Sequence, residues 1–263
     1  MRKTYQYRLY PTGKQERAMM DTLDACRWVY NKTLEVRKNA WEERKESLSR
    51  YDTSNLLTQW KTENPKLSDV YSQCLQNVTL RVDLAFRAFF QRVRAGDKPG
   101  YPRFRGFDRY DSFTYPQKGF TLLDTQIKIS KIGLVKIRKH RDIEGTIKTL
   151  TIRRTATGKW YACFSCEVET KPLPEVNAIV GIDVGLESFA TFSTGEKIDN
   201  PRFFRTSEAK LTKVQRRLSK AENGSPDRTK QRKKVAHVHE HIANRRKDFA
   251  HKLSRRLVNE YQI

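Results

Sequence analysis

Acidic residues are scarce in this chain beside basic ones. In 263 residues, 30 Asp and Glu stand against 53 Lys and Arg, leaving a formal net charge of +23 and a pI near 10.0. A polyanionic partner is therefore expected, nucleic acid by default. Long apolar runs are also missing. No segment approaches the ~20 residues needed to span a bilayer and no secretory signal opens the chain, so a membrane surface is the weaker candidate, no membrane partner is expected and the expected setting is the cytoplasm. Cysteine is sparse, with four residues that do not form a disulfide set. Cys26 and Cys74 lie in helix-like apolar surroundings, where a free thiol packs as a small hydrophobe. Cys163 and Cys166 form a C-x-x-C within a strand pattern running from Trp160 to Val168. Their odd spacing sends the thiols to opposite faces. No second pair completes four ligands, so no zinc is expected.

The chain is long enough for one large or two moderate domains. Tyr5, Tyr7 and Leu9 alternate as in a half-buried strand, which Pro11 ends. Thr12 and Gln15 have capping-box spacing. A helix should follow, with Met19, Leu23, Cys26 and Tyr30 on its buried stripe. A second, charge-rich helical stretch is expected from about Leu34 to Ser47, and a third from Tyr51 to Trp60, interrupted at Asn64-Pro65. The clearest helix runs from Gln73 to Arg94, with Leu75, Val78, Val82, Phe86, Phe89, Phe90 and Val93 on one wide apolar face.

Gly100-Tyr101-Pro102-Arg103-Phe104-Arg105-Gly106-Phe107 then interleaves aromatic rings with guanidinium groups. Such a mixture either stacks on unpaired bases while its charge holds phosphates, or is a basic loop whose rings pack on their own domain. Short alternating runs follow at Ser112–Tyr115, 120–123, Gln126–Ile129, 134–139, Thr146–Arg154 and 160–169. Their spacing suggests a small antiparallel barrel. The Tyr5 strand would join it, making the helices an insertion. Lys171-Pro172-Leu173-Pro174 reads as a stiff linker.

Ile179-Val180-Gly181-Ile182-Asp183-Val184-Gly185 is an apolar run ending on a carboxylate and a glycine turn, followed by a second apolar run to Phe192. This predicts a hairpin placing Asp183 at the edge of a buried sheet. A charge in that setting needs a cation or hydrogen bonds, unless the Asp merely caps a turn. With a third short strand near Lys197-Ile198, the pattern opens like an RNase H sheet, and equally like an actin-type ATPase. Two basic helices come next. Leu211, Val214 and Leu218 line the first; Val235, Val238, Ile242, Phe249, Leu253 and Leu257 line the second, which Pro226 begins. Their outer sides carry Lys213, Arg216 and Arg217, then Arg232, Lys233, Lys234, Arg245, Arg246, Lys247 and Arg256, with few acids. Phosphate-backbone contact is the favoured reading of those faces. His237 and His241 lie one helical turn apart without a third ligand, so no metal is expected there.

Taken together, Tyr7-Arg8-Leu9-Tyr10-Pro11-Thr12, Trp28-Val29-Tyr30-Asn31, Gly100-Tyr101-Pro102-Arg103-Phe104-Arg105, the Gly181–Gly185 stretch and Ala243-Asn244-Arg245-Arg246-Lys247-Asp248-Phe249-Ala250-His251-Lys252-Leu253 resemble the TnpB family, transposon-encoded RNA-guided DNA nucleases of OrfB type related to type V CRISPR effectors. The resemblance implies an α+β chain: a wedge-like antiparallel β-barrel from 1–12 and 96–172, an inserted helical bundle from 13–95, and an incomplete RNase H-like (RuvC) α/β domain from 176–263. It implies a guide RNA, a target DNA duplex with a short adjacent motif, Mg²⁺, and a prokaryotic nucleoid-associated setting. Asp183 resembles the first RuvC acid and metal ligand, while Tyr51, Gln76 and Thr114 fall where family members contact the DNA motif. The family's second and third acids and its zinc-binding cysteines have no counterpart in these residues. Cleavage by this chain alone is therefore not expected, since Mg²⁺ gives up water reluctantly to a single carboxylate. Three readings stay open: a shortened nuclease, a nuclease-dead RNA-guided DNA-binding module, and a nonspecific basic binder assisting transposition.

Overall fold

In the computed structural model, which describes residues 1–107, 109–170 and 178–261, the N-terminal alternation becomes strand β1 (Arg2–Tyr10) with Tyr5, Tyr7 and Leu9 buried. Six further strands follow the helices: β2 (Ser112–Tyr115), β3 (Phe120–Leu122), β4 (Gln126–Ile129), β5 (Gly133–Arg138), β6 (Thr146–Arg154) and β7 (Trp160–Glu167). They form one antiparallel sheet in the order β2-β6-β7-β1-β5-β4-β3. The sheet curls into a nearly closed barrel, with the Tyr115 and Phe120 rings of its two edge strands 6.5 Å apart. Alternate residues point inward along every long strand. Across β1 and β7, Tyr7 faces Ala162 and Tyr5 faces Phe164. Cys166 is buried on this inner face and Cys163 half-buried on the other. Gly145 enters β6 at φ +77°, where a Cβ would come within 2.1 Å of the Glu167 carbonyl oxygen, so only glycine fits that turn.

Between β1 and β2 the chain makes three helices: α1 (Gly13–Arg44), α2 (Arg50–Glu63) and α3 (Ser72–Arg94), with a short 3-10 turn at Pro65–Asp69. Thr12 and Gln15 form the expected capping box. The two helical stretches read from the sequence between Gly13 and Ser47 are a single helix. No glycine or proline interrupts the change from apolar to charged residues, and Leu34 and Ala40 keep the buried stripe going. It ends where Lys45 turns left-handed at φ 56° and donates its amide back to Trp41. The helices and barrel share one hydrophobic core, from Met19 and Val29 through Leu75 and Val82 to Phe113 and Ile152. Together they form one compact unit, Met1–Thr155 with Lys159–Thr170. The apolar face of α3 is narrower than its sequence suggests: Phe86 is buried, but Phe90 and Val93 are about half exposed.

The second unit holds a three-stranded antiparallel meander, β8 (Ile182–Asp183), β9 (Ser188–Phe192) and β10 (Lys197–Asp199), followed by α4 (Arg205–Lys220) and α5 (Pro226–Glu260). Ser225 caps α5 by accepting from the Arg228 amide at 3.1 Å, with Pro226 in the first turn. The Lys171–Pro174 linker lies outside the described residues. No helix among the described residues is long and apolar enough to cross a membrane.

Two buried features of the first unit generate predictions. Asp83 on α3 pairs with Arg37 of α1 at 3.2 Å and with Arg87 at 2.8 Å, and the Arg37 guanidinium lies 4.4 Å from the centre of the Phe86 ring. Asp83→Ala would leave Arg37 buried without its counter-charge, and denaturant unfolding is expected to show a loss of about 3 kcal/mol. Burial also pushes the Cys26 thiol from its ordinary 9.0 up to about 12, and raises Cys74, Tyr110 and Tyr115 for the same reason. These groups stay protonated in the folded chain at pH values where the unfolded chain releases their protons. Stability should hold steady up to about pH 9 and fall as pH rises beyond it; unfolding curves across that range test the sign.

Candidate nucleic-acid interface

The seam between α4 and α5 is short: Leu211, Val238 and Ile242 are buried, with Phe203, Val214 and Val235 packed around them. Phe249 of α5 meets the Phe189 ring of β9 edge-on at 5.0 Å and Phe203 at 5.8 Å, fixing α5 to the small sheet. Arg228 donates to the carbonyls of Leu218 and Ala221, at 3.1 and 2.8 Å, and so closes the C-terminus of α4. Arg256, placed on the outer side by its spacing, is instead drawn inward. It pairs with Glu196 at 2.9 Å and lies over the Phe192 ring.

The remaining cations face water. Lys213, Arg216 and Arg217 on α4 and Arg232, Lys233, Lys234, Arg245, Arg246 and Lys247 on α5 are exposed. Arg245 lies 4.8 Å over the Phe203 ring. Acidic partners serve Arg205 (Glu208) and Lys252 (Asp248). Lys213, Arg216, Arg217, Lys233, Lys234, Arg246 and Lys247 have no acid within ion-pair reach among the described residues. Like charges three and four residues apart repel by a few tenths of a kcal/mol per pair on a bare helix. A line of phosphates removes that repulsion and releases counterions as it binds.

Asp183 does sit on an edge strand, β8, opposite Thr191 of β9. The rim is not buried, however. Asp183 is exposed, as are Ile182 at 42% and Leu186 at 91%. The expectation of a charge forced to find a partner by burial is thereby corrected: β8 is two residues long and pairs only with β9 among the described residues. No three His, Cys, Asp or Glu side chains among the described residues are grouped as a metal site.

In the first unit, Tyr51 projects from the first turn of α2 with three quarters of its surface exposed, and Gln76 is exposed on α3. Thr114 on β2 is half-buried and its hydroxyl is engaged, accepting from Arg81 Nη2 at 2.8 Å and meeting the Thr151 hydroxyl at 2.8 Å. Arg81 was missed by sequence reasoning. It reaches from α3 to the Ser112 carbonyl at 2.8 Å and is braced by Asn77 at 3.2 Å, so Thr114 and the residue next to Gln76 are tied to one guanidinium. Nothing in the sequence marks an arginine between two buried helix positions as a cross-link; only the packing of α3 on β2 makes it one. Asn31 was legible as part of a motif, but its task was not. Its amide donates to the Arg105 carbonyl at 2.9 Å and accepts from the Arg105 amide at 2.8 Å. Arg103 is exposed beside it.

If the α4 and α5 faces meet phosphates, replacing Lys233, Lys234, Arg246 and Lys247 by Gln lowers the slope of log affinity against log salt. The expected drop for duplex DNA is about 0.9 for each phosphate contact removed. Titrations at several salt concentrations measure it, and an unchanged slope would mean these cations face nothing anionic.

Two family profiles match the chain: one described as a probable transposase of OrfB type over residues 163–263, and one described as a helix-turn-helix domain of the same family over residues 1–46. Over 1–46 this structure has one strand and one uninterrupted helix. A Streptomyces pristinaespiralis protein is 39% identical across 100% of this chain and 65% of its own length. A second relative, InsQ of Escherichia coli K12, is 31% identical across 96% of this chain and 62% of its own length. Both are described as a "Putative RNA-guided DNA endonuclease". The chain thus spans somewhat less than two thirds of either relative. A CRISPR-Cas12f ternary complex aligns with 87% of this chain and 57% of its own, at 13% identity and a TM-score of 0.42. Family matches at both ends of the chain and an alignment running through all of it make this chain similar to OrfB-type transposases.

Proposed function

We propose that this chain forms the nucleic-acid-gripping part of a TnpB-type RNA-guided DNA nuclease, binding a guide RNA and, through that guide, a target DNA duplex. The observation that carries the reading is the alignment, over the chain's whole length, with proteins described as RNA-guided DNA endonucleases. The electrostatics agree with it. In such a system sequence is read by base pairing, and the protein holds the heteroduplex by its backbone. The outward cations of α4 and α5, led by Lys213, Arg216, Arg217, Lys233, Lys234, Arg246 and Lys247, suit that task.

A short motif beside the target would be read by the protein itself, at Tyr51, Gln76 and Thr114. Tyr51 and Gln76 are free to approach a groove. Thr114 is held in one orientation by Arg81 and Thr151, so it would present a fixed hydroxyl. Paired magnesium ions, where a complete carboxylate set holds them, activate water and stabilise a leaving phosphate oxygen. Asp183 is the one residue here assigned to such a set. No group of three or more His, Cys, Asp or Glu forms a metal site among the described residues, which supports a reading in which residues 1–263 by themselves bind DNA without cutting it.

The test combines binding and cleavage with an RNA carrying a matching guide segment. Guide-dependent retention of matched DNA, with no cutting in Mg²⁺ and no change on Asp183→Ala, is the expected result. Cutting that Asp183→Ala abolishes would overturn the binding-only assignment. Equal affinity for matched and unmatched DNA would overturn guide dependence and favour a nonspecific basic binder.

A further inference from the structure

The stretch from Gly100 to Phe107 has no regular secondary structure, yet it is tied down at Tyr101 and at Arg105. Tyr101 packs edge-on against Phe86 and Phe89 of α3, with ring centres 5.6 and 5.4 Å apart. Asn31 of α1 clamps Arg105 by two backbone hydrogen bonds, and the Arg105 guanidinium lies 5.4 Å over the Tyr30 ring. A loop fixed in this way does not need its other rings for packing. Phe104 is 54% exposed and Phe107 68% exposed. Phe104 has no ring or cation neighbour among the described residues. Phe107 has one, the Arg27 guanidinium 5.8 Å from its ring centre. Arg103 lies beside Phe104 with its charge in water.

Two large rings left more than half exposed forgo part of the hydrophobic stabilisation that burial would give. Setting them among Arg27, Arg103, Arg105 and Arg109 is unfavourable for an apolar protein partner. It suits a ligand that offers flat π-faces and negative charge in alternation, which is what an unpaired stretch of nucleic acid presents. We infer that Phe104 and Phe107 form a stacking platform for two unpaired bases, preorganised by the Asn31 clamp, with Arg103 on the neighbouring phosphate. The assignment rests on the reading of the chain as a nucleic-acid binder and adds a single-strand site separate from the α4 and α5 faces. The strand could come from an unpaired part of an RNA or from a DNA strand displaced on pairing; the stacking chemistry is shared.

The test uses the full 263-residue chain with short oligouridylate, oligothymidylate and a blunt duplex of equal charge, followed by fluorescence anisotropy. Phe104→Ala with Phe107→Ala is expected to weaken both single strands by on the order of tenfold or more and to leave the duplex unchanged. Phe104→Trp with Phe107→Tyr should restore the affinity. Both positions are exposed, so the thermal midpoint should not move. Tighter binding of oligouridylate than oligothymidylate, or the reverse, identifies the source of the strand and supports the platform either way. Equal losses on duplex and single strands, or no loss at all, would overturn it. The α5 glutamine variants keep the two claims apart: they should weaken duplex and single strands alike. If they alone fail to do so, the backbone-gripping assignment falls while the platform stands.

Discussion

Strand β1 lies near the centre of the barrel, bonded on one side to β7 and on the other to β5. Both partners come more than a hundred residues later in the chain, so the first unit cannot close until most of it has been made. Everything between β1 and β2 must leave the sheet and return to it. That requirement explains why α1 to α3 are not a body apart. They pack on the same core as the barrel, and the ties between them are made by polar side chains that reach from one layer to the other: Arg81 to β2, Asn31 to the loop before it, Glu16 to the Trp160 indole at 3.2 Å. A buried or half-buried polar group that satisfies several partners specifies orientation more sharply than apolar contact does, because each hydrogen bond has a direction.

The second unit is built on the opposite balance. Its apolar seam is small, three buried side chains between two helices, while its outer faces carry mostly positive charge. The geometry of α5 is maintained by ring contacts to the small sheet and by Arg256 turned inward onto Glu196 and Phe192. Such a surface is stable enough to fold and is best relieved by a polyanion. The proposed backbone grip agrees with that charge.

Much of the strand pattern was legible because the inward and outward alternation in β1 and β7 is unbroken and turn residues separate the runs. Helix-start signals were equally plain: Thr12 with Gln15, and Pro226, start helices where their chemistry requires. The break placed within α1 was wrong because composition changed there while the helix did not. A charged stretch remains helical when nothing stops it and its few apolar residues stay on the buried side. The burial expected around Asp183 was wrong for a related reason. An apolar run suggests a covered strand, but covering depends on which neighbours the strand finds.

The residues by themselves determined the strongly positive net charge, the alternation that makes the barrel, and the motifs that carry the family resemblance, since each of these is local or additive along the chain. Tertiary structure alone decided which cations are spent on the fold and which are left for a partner. Arg37, Arg81, Arg228 and Arg256 look no different in sequence from Arg103, Arg216 or Arg246. They differ because long-range packing brings a carboxylate, a carbonyl or a ring within reach of the first group and leaves the second facing water.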